Sequence, residues 1–167
     1  MKRLCFLLSF ATLTGAARAQ SLDTAAIIRQ IRAEFQKINA HSASFKAETK
    51  DVWGGSTEGG EETLYYDSTG NLRKITTHDF GEMGQGWWEL YIKNGLVFFA
   101  YQKVELYKKE LAPDSRTDRW EEYRYYLYKN KVIRFLTNGT KDSPEYPDDP
   151  TKRILEVYQS CLHPQTE

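Results

Sequence analysis

The chain has 167 residues, 40% of them hydrophobic and 14% aromatic, with 23 basic and 23 acidic side chains and two cysteines. That length fits one globular domain, and the even charge argues against a surface built to hold a nucleic-acid backbone.

Residues 1–19 are expected to form a cleavable secretory signal. Lys2 and Arg3 precede an apolar run over residues 4–13, and Ala17-Arg18-Ala19 supplies the small-x-small cleavage pattern. The run is shorter than the roughly 20 apolar residues that span a bilayer. The mature chain, residues 20–167, is therefore expected to be secreted or periplasmic, without an integral membrane anchor. Cleavage removes Lys2, Arg3 and Arg18, leaving 20 basic residues against 23 acidic ones, a net charge near −3. It also removes Cys5. Cys161 is then the only thiol, no intramolecular disulfide forms, and stability must come from the core.

Over residues 24–39 the apolar side chains Ile27, Ile28, Ile31, Phe35 and Ile38 recur at helical spacing, with Ser21 or Asp23 placed to cap the start. Residues 42–53 alternate Ala43, Phe45 and Ala47 with Ser44, Lys46 and Glu48, the period of a half-exposed strand. Three hairpins follow at about 61–78, 87–106 and 120–137, with turns around Gly70, Asn94-Gly95 and Asn130-Lys131. Asn94-Gly95 is the strongest of these signals, because a two-residue type I′ turn needs positive φ at both central positions. Asp149-Pro150 then opens a closing helix whose Ile154, Leu155, Tyr158 and Leu162 share a face.

The architecture expected is α+β: an N-terminal helix, a seven-stranded antiparallel meander made of one strand and three hairpins, and a C-terminal helix, both helices on one face of the sheet. The alternative is a lipocalin-like β-barrel with flanking helices.

Successive antiparallel strands sort their connections into two ends. The tight turns lie at one end, and the segments 54–60, 79–86 and 108–119, read as long loops, lie at the other. Function sits disproportionately on loops held by a scaffold. All four tryptophans, Trp53, Trp87, Trp88 and Trp120, adjoin those loops, as do Glu82, Arg116 and Arg119, and these seven residues form the candidate contact surface for a protein or glycan of the cell envelope or exterior. Trp87 and Trp88 are consecutive on a strand and must face opposite sides. A carrier of a small apolar ligand, in a barrel or under the helices, is a second reading. An acid/base glycan hydrolase using Glu61, Asp79 and Glu82 is a third. No catalytic constellation, cofactor motif or metal-ligand spacing is apparent: His41, His78 and His163 are far apart, and no G-x-S-x-G occurs. Asn138-Gly139-Thr140 matches the glycan-acceptor pattern.

The segments Glu58-Gly59-Gly60-Glu61, Gly81-Glu82-Met83-Gly84, Glu89-Leu90-Tyr91-Ile92 and Arg124-Tyr125-Tyr126-Leu127 resemble the landmarks of small uncharacterised bacterial envelope proteins. That resemblance implies a leading helix before Tyr-rich hairpins and brings no activity, ligand or catalytic residue. The stretch Tyr66-Asp67-Ser68-Thr69-Gly70-Asn71-Leu72 is similar to one copy of a bacterial YD repeat, a likeness of hairpin chemistry only, because the later copies lack the Tyr-Asp pair.

Overall fold

The computed structural model describes residues 23–52, 58–108 and 117–163. The expected signal segment lies outside them, and among the described residues no helix is long and apolar enough to cross a membrane. In chain order the elements are α1 (Thr24–His41), a single 3-10 turn, β1 (Lys46–Val52), β2 (Gly60–Tyr66), β3 (Leu72–Gly81), β4 (Gly84–Lys93), β5 (Leu96–Tyr107), β6 (Thr117–Tyr128), β7 (Lys131–Thr137) and α2 (Pro150–Leu162). The seven strands form one antiparallel sheet in the order β1-β2-β3-β4-β5-β6-β7. The sheet is open, so the barrel alternative and its lumen do not exist.

Turn chemistry sets the register. Asn94 and Gly95 both adopt positive φ, 53° and 73°, as a type I′ turn requires. The β6–β7 turn falls one residue earlier than expected, on Lys129 and Asn130 (φ 49° and 59°), because Tyr128 pairs with Lys131 and leaves those two at the tip. Segment 79–86 is not a loop. Asp79 pairs with Gly86, Phe80 with Gln85 and Gly81 with Gly84, so only Glu82-Met83 turns. Its glycines serve the ladder instead: a Cβ on Gly84 would lie 2.1 Å from the Glu105 carbonyl oxygen.

The helices pack on opposite faces of the sheet, not on one. Helix α1 is capped by Asp23, whose carboxylate accepts from the Ala26 N–H at 2.9 Å. It buries Ile28, Ile31 and Ile38 against Tyr91, Phe99 and Tyr126, with Phe35 edge-on to Phe99 at 5.1 Å. Helix α2 buries Ile154, Tyr158 and Cys161 against Ile75, Leu90, Tyr125 and Leu127 on the other side. Two cores are possible because the central strands are apolar on both faces: Leu90 and Ile92 belong to one core and Tyr91 to the other, and Tyr125 and Tyr126 divide likewise.

Asp149 caps α2 by accepting from the Thr151 and Lys152 N–H groups at 2.9 and 3.0 Å, with Pro150 at the first helical position. Asp149→Ala is expected to cost about 1 kcal/mol of stability in urea denaturation.

Candidate functional site

The end of the sheet opposite the Gly70, Asn94-Gly95 and Lys129-Asn130 turns, where the β3–β4 hairpin closes on Glu82-Met83, carries a cleft of about 840 Å³ on the α2 face. The β3–β4 arm forms one wall with Asp79, Gly81, Glu82 and Gly86. Trp88, Gln102 and Val104 come from the sheet beneath. Asp118 and Arg119 sit at the start of β6, and Pro144, Glu145 and Arg153 close the α2 side. Gly86 gives the cleft its depth: a Cβ there would meet no heavy atom within 4 Å, so the missing side chain leaves open space opposite Asp79.

The cleft's polar groups are held by named partners. Glu145 accepts from the Arg153 guanidinium at 2.6 Å and from the Gln102 side-chain amide at 3.0 Å. That guanidinium lies 5.5 Å over the Trp88 ring, and Trp88, buried at 5% exposure, stacks on Tyr125 at 5.8 Å. Asp79 differs. Among the described residues its carboxylate accepts one hydrogen bond, a long 3.5 Å contact from the Thr77 hydroxyl. Burial raises its pKa, opposed by Thr77 and the His78 charge and reinforced by the nearby carboxylates of Glu145 and Glu62.

The segment over residues 138–149 is fastened to the sheet by a second network. Glu121, 2% exposed, accepts from the Tyr123 hydroxyl and the Ser143 hydroxyl, each at 2.5 Å, and from Arg119 Nε at 2.9 Å. Burial and its bond to Glu121 push the Tyr123 phenol up to about 12. Gly139 allows this closure, since a Cβ there would lie 2.5 Å from the Tyr123 hydroxyl.

On the opposite face, beyond the area covered by α1, lies an aromatic row. His78 stacks on Trp87 at 4.6 Å, Phe80 leans on His78 at 4.2 Å, and Trp87 meets Trp120 at 5.6 Å. Lys103 Nζ sits 4.0 Å from the Trp120 ring centroid and 5.8 Å from that of Trp87, while Trp120 and Phe80 remain 41% and 38% exposed. The seven sequence candidates are thus divided. Trp88, Glu82 and Arg119 line the cleft, Trp87 and Trp120 share the other face, and Trp53 and Arg116 lie outside the described residues. Glu61 pairs with His78 and so shares the aromatic face, across the sheet from Asp79.

Gln102, Glu145, Arg153 and Gly86 were missed by the sequence reading. Gln102 alone left a trace, as an amide 2% exposed within the apolar strand β5. Among the described residues no three His, Cys, Asp or Glu side chains gather as metal ligands. Comparison of the chain with family models, curated proteins and solved structures found no match.

Proposed function

We propose that the protein is a non-enzymatic binding domain that holds a saccharide in the cleft on its α2 face. The observation that carries this reading is the cleft itself, a hollow of about 840 Å³ ringed by the planar polar groups of Asp79, Gln102, Glu145, Arg153 and Arg119. Carboxylates, amides and guanidinium groups bond in pairs and match the vicinal hydroxyls of a sugar ring. The volume falls within the roughly 300–1,000 Å³ of small-ligand sites. Binding, not turnover, is favoured because Glu145 is already engaged by Arg153 and Gln102, which suits an orienting acceptor better than a base. A signal over residues 1–19 would deliver this domain to the envelope or exterior, where glycans are available.

Gly86→Leu tests the proposal. A Cβ at this position meets no heavy atom within 4 Å, so the leucine starts into the hollow, and saccharides retained by the wild type on a glycan array should bind at least about tenfold more weakly by calorimetry. The thermal midpoint should hold or rise, since glycine in a strand interior costs about 0.5–1 kcal/mol. Undiminished binding by the variant, or an array that retains no saccharide, overturns the reading.

A further inference from the structure

We infer that β1 is the seam of a two-fold dimer, in which the free edge of this strand pairs antiparallel with the β1 edge of a second copy, centred on Thr49. Strand β1 ends the sheet and pairs only with β2. Lys46, Ala47, Glu48, Thr49 and Asp51 are exposed along it, and among the described residues no hydrogen bond reaches the backbone groups on its outer side. The other edge of the sheet is less open. On β7 the Val132 N–H is taken by the Thr151 hydroxyl at 3.1 Å, and a two-fold about the middle residue of that strand sets Arg134 against its own copy.

The charges of β1 select the register. Residues opposite one another in an antiparallel pair share a face of the sheet, so a two-fold axis normal to the sheet passes through a residue and not between two. Three such centres overlap five or more of the seven residues of β1. Centring on Glu48 sets that carboxylate against its own copy and Lys46 against the partner's Lys50. Centring on Lys50 opposes the two Lys50 ammonium groups. Centring on Thr49 opposes Glu48 to the partner's Lys50 and Lys50 to the partner's Glu48, sets Ala47 against Asp51 and Lys46 against Val52, and brings no like charges face to face. Lysines on an edge repel a second copy when they meet one another, and in this register they do not. Glu48 bonds Lys46 at 2.6 Å and Lys50 pairs with Glu62 at 3.0 Å within the chain, yet their side chains stay 51% and 37% exposed and border the seam.

The test is sedimentation equilibrium of the mature chain, residues 20–167, over a range of concentrations, with disulfide trapping to read the register. A single strand edge lies at the small end of interface sizes, so a dimer that dissociates in about the micromolar range is expected. Glu48→Lys opposes lysines at both symmetric pairs and should weaken the dimer at least about tenfold, with the thermal midpoint of the dilute chain unchanged. Under mild oxidation Thr49→Cys should form an intermolecular disulfide, because its two copies face each other within the roughly 4.4–6.8 Å between Cα atoms that a disulfide spans. Ala47→Cys, on the same face, should not, because its two copies lie about 13 Å apart along the strands. Cys161, buried at 3% exposure, stays out of the exchange. A chain that is monomeric at every concentration and traps Thr49→Cys no faster than Ala47→Cys overturns the proposal. A dimer that survives Glu48→Lys or traps both cysteines alike overturns it too, by assigning association to another surface. An open polymer does the same, by assigning it to head-to-tail pairing of β1 with β7.

Discussion

Glu121→Ala is expected to remove about 3 kcal/mol of stability and to loosen the wall of the cleft at the same time. The truncation strands the buried hydroxyls of Tyr123 and Ser143, both of which donate to this carboxylate. Ser143 ties segment 138–149 to the sheet together with Asn138 and with Glu145 itself, so the position of Glu145 depends on it in part. Urea denaturation reads the first effect, and hydrogen exchange at Ser143–Tyr146 reads the second; a loss below about 1 kcal/mol would show that the network is not holding the segment.

The same carboxylate gives the fold an acid limit. Burial pushes Glu121 up, and the hydrogen bonds from Ser143, Tyr123 and Arg119 outweigh that effect, leaving it below its ordinary value of 4.5. Its contribution is therefore complete above that value and is lost as pH falls through the lower, folded one. Asp67 acts in the same sense: its bonds from the Thr69 hydroxyl and the Asn71 N–H hold it at about 2. Asp79 has the opposite sign. Its raised pKa means that the folded state keeps the proton longer than the unfolded chain, so its ionisation subtracts stability as pH rises beyond the ordinary aspartate range. Asp79→Asn should therefore melt no lower than wild type at neutral pH, and Glu121→Gln should flatten the fall in stability on acidification.

Ile154→Ala should cost about 3 kcal/mol, because the side chain is fully buried between α2 and the sheet and its removal leaves a cavity. The location of the damage matters as much as its size. Because α1 belongs to the other core, native-state hydrogen exchange should accelerate across α2 and leave α1 protected. Uniform acceleration in both helices would show that the two cores open as one. Saccharide binding should weaken too, since Arg153 precedes Ile154 in the first turns of α2 and supplies one side of the cleft.

Much of the scaffold was legible in local patterns. The spacing of Ile27, Ile28, Ile31, Phe35 and Ile38 marked α1, Asn94-Gly95 marked its hairpin, and the adjacency of Trp87 and Trp88 placed them on opposite faces. Glycine misled the reading at 79–86, because Gly81, Gly84 and Gly86 look like loop composition when Gly84 is there to admit the β5 backbone. The side taken by each helix was hidden for a different reason. Runs such as Leu90-Tyr91-Ile92 are apolar on both faces and give a docking helix no direction. The cleft was half visible. Glu82, Trp88 and Arg119 were singled out because they adjoin segments read as long loops, one of which, 79–86, is strand, whereas Gln102, Glu145 and Arg153 come together through tertiary packing, which no local period encodes.

The unbroken strand order also has a kinetic side. Every strand pairs with its neighbour in sequence, so no pairing must wait for distant parts of the chain to find each other, and loop-closure entropy is low for a sheet of this size. Folding should be fast for a β-rich domain. Its nucleus is expected in the β4–β5–β6 meander, whose long strands supply residues to both cores, with β1, α1 and α2 joining afterwards.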